Sequence, residues 1–381
     1  MRAWSRVSIV FLLLLAAGCA DLKEYTKEVV NDAAAKGKER VNQKIDEGTE
    51  KVNQAIDKAF DDLERRWERV SAKQKEKLER LEKREQELLA KLQAEVSQKW
   101  DKFLQGDKKV WVDYSDDRDA VSQVDFENGK VLLAAVVPAD QPDVQGQAKK
   151  LLGQELQKVV AQKAVDGKPV MAEMLPARSE AAVSNAKVVG KPFVGKDGVK
   201  RVKVQTELPM VQDHLHLRAE RYRKVVEANA KKRDVEPSLV MALIHTESAF
   251  NPLARSAEPA FGLMQLVPRT AGLEAYQEVY GTNDVPTPDY LYDSNNNIEL
   301  GVVYLARLHQ VYFHNIQDPD KLRYIAICAY NAGPGRVRKI VQSLNPNDMK
   351  AKELYTQLHN QVPAETRDYL DRVETRRKLY Q

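Results

Sequence analysis

Residues 238–252 read Ser-Leu-Val-Met-Ala-Leu-Ile-His-Thr-Glu-Ser-Ala-Phe-Asn-Pro, and Pro237 stands directly before them. Proline suits the first position of a helix, where its missing N–H would have no partner. Read as a helix, the stretch sets Val240, Leu243 and Ile244 one or two turns before Glu247, on the same face. The carboxyl therefore shares the apolar stripe and not the solvated one. A glutamate is rarely buried unless it is paired or used. Apolar surroundings disfavour the charged form of a carboxyl, which is what a general acid near neutral pH needs. The bland alternative is a Glu at a frayed helix end that turns back to water, and this stretch alone leaves both readings open.

Outward from this helix, residues 211–381 are helical by pattern. Leu215 to Lys231 reads as one helix, and later ones run through Ile298 to Val311, Lys321 to Tyr330 and Glu365 to Leu379. Residues 106–210 differ. Val110-Trp111-Val112-Asp113-Tyr114 alternates as a strand does. Val124 to Leu132 reads as a hairpin around Asn128-Gly129, and a second hairpin turns at Lys196-Asp197-Gly198. Ala148 to Ala164 reads as an amphipathic helix between them. This is a small α+β domain with no catalytic constellation, so a scaffold or positioning role is expected of it. Residues 19–105 form a long charged helix or weak coiled-coil spacer. Val52, Ile56, Ala59, Leu63 and Val70, then Leu78, Leu81, Leu88, Leu92 and Val96, recur near a heptad period, with a slip near Lys73 to Lys77. A continuous helix of ~80 residues would reach ~120 Å. It is either a solvated tether or a homodimer seam through residues 21–105.

Arg2 and Arg6 precede the apolar run Val7 to Ala17, followed by Gly18 and Cys19. That is the charged region, short apolar region and small-residue site of a signal peptide, residues 1–18. The run is too short to span a bilayer, which takes ~20 apolar residues. Leu15-Ala16-Ala17-Gly18-Cys19 resembles a bacterial lipobox, with Ala16 where Leu is usual. The resemblance implies cleavage before Cys19 and its acylation, hence a membrane anchor. Ala20 rather than Asp after the Cys implies the periplasmic face of the outer membrane of a Gram-negative bacterium. The alternative is an ordinary signal peptide with an incidental Cys. The one other cysteine, Cys328, lies in the apolar run Tyr324 to Tyr330 and is expected in the core. With 60 basic and 56 acidic residues the net charge is only +4, too small to argue for nucleic acid. No Cys/His cluster has metal-ligand spacing, and no cofactor is expected.

Four segments of the helical part carry the remaining signal. They are Glu247-Ser248-Ala249-Phe250-Asn251-Pro252; Phe261-Gly262-Leu263-Met264-Gln265 with Ser256 before it; Ala329-Tyr330-Asn331-Ala332-Gly333; and Glu365-Thr366-Arg367-Asp368-Tyr369. Each alone is weak. Gly262 could be only a tight turn, Tyr330 only core and Gly333 only a helix cap. Their order and spacing closely resemble the catalytic domain of the family 1 lytic transglycosylases of bacterial cell walls, over roughly residues 213 to 380. The middle region, from Trp111 to Tyr114 through Pro209 and His214, is similar to the N-terminal domain of a membrane-bound member of that family. The long charged helix is not part of that pattern.

The resemblance implies a mainly α protein, with a lysozyme-like helical catalytic domain over residues 211–381. It gives Glu247 the single acid/base role. It puts Ser256 near the sugar or an ordered water, Gln265 on the substrate, and Met264 on an apolar wall. Tyr330 and Asn331 face the acid and the N-acetyl group, and Tyr369 helps hold the muramyl sugar. The implied partners are peptidoglycan glycan strands. Ordinary glycoside hydrolysis uses two carboxylates, and only one Glu matches. The chemistry then needs an internal nucleophile, and the muramyl 6-hydroxyl supplies one, giving a 1,6-anhydro product. Two other readings stand beside it: a goose-type lysozyme with water as nucleophile, and a lipoprotein that only binds peptidoglycan.

Overall fold

The computed structural model describes residues 65–381 apart from Ala172. Cys19, the signal peptide and the first part of the charged stretch lie outside the described residues. Helices dominate, with one small antiparallel sheet among them. The described residues fall into two compact units, one holding residues 66–304 and 371–381, the other residues 305–370.

The long helix of the first unit is α1 (Ala72–Lys99), whose start is set by Ser71: its hydroxyl accepts the Gln74 N–H at 3.3 Å. The slip expected near Lys73–Lys77 is therefore a break one turn earlier. Over these residues α1 is not a spacer solvated on every side. Arg269 Nη2 reaches Glu82 at 2.7 Å, Arg255 Nη2 reaches Glu85 at 2.9 Å, and Gln74 bonds Asp284. At its other end, Val96 and Trp100 join a core with Tyr114, Val121, Ala134 and Val136. The apolar positions that suggested a seam between chains thus partly face this chain's own sheet.

That sheet has strands β1 (Val110–Tyr114), β2 (Ala120–Asp125), β3 (Lys130–Pro138), β4 (Lys187–Val194) and β5 (Lys200–Pro209), in the order β1-β2-β3-β5-β4, all antiparallel. The hairpin expected around Asn128-Gly129 joins β2 to β3. Asp125 Oδ1 accepts the Asn128 N–H at 2.9 Å, and Gly129 supplies the left-handed φ of +64°. Successive side chains of a strand point to opposite faces. Along β3, Val131, Leu133, Ala135 and Val137 therefore pack toward helix α2 (Val144–Ala161), while Ala134 and Val136 meet Val96 and Trp100. A strand covered on both faces reads as a continuous apolar run, as this one does. Asp143 caps α2 by accepting the Gly146 N–H at 2.8 Å, which places its start four residues before the expected one.

A short helix α3 (Ser179–Ser184) precedes β4. After β5 come α4 (His214–Arg233), α5 (Pro237–Ser248), α6 (Ala271–Tyr280), α7 (Pro288–Tyr292) and α8 (Ser294–Arg307). The core of the sheet's α2 side continues into this part through Ala249, Leu217 and Leu253.

In the second unit a π-helical turn, Leu308–Tyr312, replaces the end of the helix expected to run to Val311. Then follow α9 (Pro319–Ala332), α10 (Pro334–Leu344), α11 (Ala351–Gln361) and α12 (Ala364–Arg377), whose residues from 371 onward belong to the first unit. Asp318 caps α9 through the N–H groups of Asp320 and Lys321. Cys328 is buried, as its apolar setting led us to expect.

Trp100 is buried, donates its indole N–H to Arg118 O at 2.7 Å, and meets Tyr114 edge-on. Trp100→Ala should cost roughly 3–5 kcal/mol, read as a lower urea midpoint, because α1 loses its hold on the sheet.

Candidate functional site

Helix α5 is buried along its whole length from Ser238 to Ser248. Glu247 is only 6% exposed, so the frayed-end alternative does not hold. The helix stops abruptly behind it. Ala249 and Phe250 have φ of +49° and +59°, a conformation that costs an L-residue energy and persists only where the surroundings enforce it. Here the enforcing group is Arg218 of α4, itself 1% exposed. Its Nε donates to Ala249 O at 3.2 Å and its Nη2 to Phe126 O at 2.5 Å, and the guanidinium lies over the Phe126 ring. Burial pulls Arg218 down to about 10, which still leaves a cation at neutral pH. Phe250 is clasped between Tyr222, stacked on it, and Tyr380, edge-on.

Ser248 connects this helix end to the Gly-Leu-Met-Gln segment. Its hydroxyl lies 2.8 Å from Leu263 O and 3.0 Å from Ile244 O. Gly262 turns the chain with φ of +75°, and a Cβ there would come within 2.4 Å of Leu291 O and Asn297 Nδ2. Asn297 of α8 is the staple. It accepts the Met264 N–H at 2.7 Å and donates to Phe261 O and Leu291 O, both at 2.8 Å. Gln265 is held at φ of +52° with its Nε2 donating to Gly262 O at 2.9 Å and Ala254 O at 3.2 Å. Its Oε1 is buried and meets no hydrogen-bond donor among the described residues. A buried acceptor left unpaired is costly. Met264 is fully buried against Gly301, in the core and not on an open wall. The Ser256 hydroxyl turns onto its own loop, toward Glu258 O and the Ala260 N–H.

Of two lysines at the start of the sheet, one reaches this helix. Lys108 Nζ lies 3.2 Å from Glu247 Oε2. Its neighbour Lys109 pairs with Glu127 of the β2–β3 turn, which also takes Arg376. Arg376 Nη1 donates to His245 O at 2.9 Å, and Tyr380 Oη lies 3.0 Å from His245 Nδ1. Burial first, then the cations Arg376, Lys109 and Arg218, pull His245 down to about 3. The imidazole two residues before Glu247 is thus neutral throughout the physiological range.

Tyr330 and Asn331 sit at the end of α9 in the second unit, both partly buried. Thr366 Oγ1 donates to Asn331 Oδ1 at 2.7 Å, which ties the third sequence segment to the fourth. Tyr369 is 1% exposed and packed inside that unit. The first two segments, with Glu247, Ser256, Met264 and Gln265, share the other unit. Sequence reasoning missed Lys108, Arg218 and Asn297. Lys108 looks like a solvated charge beside a strand. Only the Asn295-Asn296-Asn297 run, unusual at a helix start that needs one cap, hinted at a second use for an asparagine.

Asn297→Ala would remove the side-chain acceptor of the Met264 N–H and the amide donor to Leu291 O, while Phe261 O keeps the Leu266 N–H. It should cost about 3–5 kcal/mol in urea unfolding. His245 makes stability depend on pH in a definite sense. The unfolded chain takes a proton near 6.5 and the folded chain only near 3, so the unfolded state binds more protons between them and stability falls as pH drops through that window. Melting temperatures of His245→Asn should lie below wild type at pH 8 yet fall less than wild type between pH 6.5 and pH 4.

Residues 224–352 match the transglycosylase SLT domain family. Membrane-bound lytic murein transglycosylase C of Klebsiella pneumoniae is 39% identical over 187 residues, covering 47% of this chain and 52% of that protein. The same-named protein of Shigella sonnei is 38% identical over the same length. The chain thus spans about half the length of the curated relatives it matches. The 70-kDa soluble lytic transglycosylase of Escherichia coli is 29% identical over 44% of this chain and 25% of its own, with a TM-score of 0.35. Residues 224–352 are thus similar to the transglycosylase SLT domain, and about half of the chain is similar to membrane-bound lytic murein transglycosylase C.

Proposed function

We propose that the protein is a lytic transglycosylase that cleaves the β-1,4 bond between N-acetylmuramic acid and N-acetylglucosamine in peptidoglycan and leaves a 1,6-anhydromuramyl end. The observation that carries this reading is the buried Glu247 at a strained helix stop, clamped by Ser248 to the Gly-Leu-Met-Gln segment inside the matched SLT residues. Glu247 is the acid and then the base. Its O–H donates to the glycosidic oxygen as the bond to the muramyl anomeric carbon breaks, and the glucosamine leaves with that proton. The neighbouring acetamido group stabilises the positive charge. The Glu247 carboxylate then takes the proton of the muramyl 6-hydroxyl, whose oxygen closes on the anomeric carbon. That proton restores the carboxylic acid for the next turnover, and no water is consumed.

In this reading Gln265 binds the substrate. Tyr330, Asn331 and Tyr369 serve the N-acetyl and muramyl groups, Ser256 the sugar or an ordered water, and Met264 backs the site from the core. Residues 211–381 form the catalytic domain and residues 106–210 the domain before it. Acylated Cys19 anchors the protein to the outer membrane, facing the periplasm. No helix among the described residues is long and apolar enough to cross a membrane, and the lipid anchor needs none. Pairing of two copies through residues 21–105 is the second use we ascribe to the charged helix. The exposed Leu81 and Leu88 of α1 support it.

Digestion of purified sacculi followed by product masses tests the reaction, since an anhydro end is lighter than a hydrated one by one water. Glu247→Gln should bind glycan strands with near wild-type affinity and lose at least about 1,000-fold in turnover, because the general acid is gone. Sacculi cut at the wild-type rate by Glu247→Gln, or hydrated ends from the wild type, would sink the reading.

A further inference from the structure

Lys108 lies outside residues 224–352, the part of the chain that matches the SLT family. The short segment that carries it is tightly fixed. Asp107 Oδ1 accepts the N–H groups of Lys109 and Val110 at 2.7 and 2.9 Å, Asp107 N donates to Val110 O at 2.8 Å, and Phe126 N donates to Lys109 O at 3.0 Å. Neighbouring side chains then diverge. Lys109 goes to Glu127, and Lys108 goes to Glu247. The Lys108 side chain is 37% exposed, so its ammonium stands between the buried carboxyl and solvent.

We propose that Lys108 is a positioning residue of the transglycosylase reaction. It holds the Glu247 carboxyl in one orientation and balances the negative charge that develops there as the proton leaves for the glycosidic oxygen. The role rests on the assignment of Glu247 as the acid/base. A charge placed in advance where charge appears in the transition state lowers the barrier without moving during the reaction. The interaction strengthens as the proton departs, so it acts on turnover more than on substrate binding. The α+β region is thereby part of the catalytic apparatus, through one side chain delivered by the turn before β1.

A lysine suits this task better than an arginine. Its single ammonium pairs with one oxygen and keeps its hydration on the exposed side. A buried bidentate arginine would hold the carboxyl in its ionised state and oppose its return to the acid form.

The test uses the full chain on purified sacculi and on a defined glycan oligomer. Anhydro ends are counted by mass spectrometry, and oligomer affinity is measured by calorimetry. Lys108→Met removes the charge and keeps the length of the side chain. It should lower kcat roughly 10- to 100-fold with the oligomer Kd within about twofold of wild type. Lys108→Arg keeps the charge and should recover part of the lost rate, while both variants melt near the wild-type temperature. Wild-type kcat in Lys108→Met overturns the proposal. So does a loss of affinity as large as the loss of rate, which would make Lys108 a binding contact only. Should Lys108→Met fold poorly, Lys108→Gln takes its place with the same expectations. Hydrated ends from the wild type would overturn the lyase reading itself, and this role with it. Anhydro ends formed at an unchanged rate by Lys108→Met would overturn this role alone.

Discussion

A buried helix has to stop immediately after the carboxyl that matters, and much of the first unit is arranged around that stop. The last carbonyls of a helix have no partners within it. At an exposed end water supplies them; at the end of α5 it cannot, because Ser238 through Ser248 are all buried. The chain turns through two left-handed non-glycine residues, Ala249 and Phe250. Ala249 N bonds back to His245 O, Ser248 Oγ reaches Ile244 O, and the Arg218 guanidinium takes up Ala249 O. Arg218 in turn reaches Phe126 of the β2–β3 turn. One buried cation therefore links α4, the sheet's hairpin and the residue that follows Glu247 and Ser248.

The helical scaffold of this arrangement was largely legible in the sequence. Val240, Leu243 and Ile244 at helical spacing from Glu247 implied a carboxyl on the buried face, and Pro237 marked where the helix begins. Asn128-Gly129 marked the hairpin, and the alternation from Val110 to Tyr114 marked a strand. These signals are local: each depends on residues a few positions apart whose geometry is set by period and turn chemistry. The helix α2 was legible in kind but not in extent, because its start is decided by the single cap Asp143. The π-turn at Leu308–Tyr312 left no local mark.

The polar connections were not legible, because they join residues distant in the chain through single side chains. Lys108 and Glu247 are 139 positions apart, and Met264 and Asn297 are 33 apart. Nothing in the composition around Lys108 sets it apart from the many lysines that face water. The α+β region showed no group of residues in the sequence with chemistry of its own. Its contribution is two charges: Lys108 turned to Glu247, and Glu127 turned to Arg376 and Lys109. Charged residues in a turn are the commonest of surface features, so their meaning depends on what the fold brings against them. The charged helix α1 shows the same limit. Its heptad-like spacing is real, but the sheet and the loop residues Arg255 and Arg269 claim part of it.

In the proposed reaction one carboxyl serves two proton transfers, and the surroundings of Glu247 bear on that. A group that must be acid in one step and base in the next cannot be tied to either state. Burial alone favours the neutral form, and a closely paired buried cation alone favours the ion. At Glu247 the buried helix α5 and the Lys108 ammonium, 3.2 Å from Oε2, come from different parts of the chain. His245, two residues away, is held neutral by burial and by three nearby cations, so it adds no competing charge at neutral pH. The surrounding network of Arg376, Glu127, Lys109 and Tyr380 fixes that histidine and the helix end together. Geometry at the carboxyl is thus set by contacts drawn from both the helical part and the turn before β1.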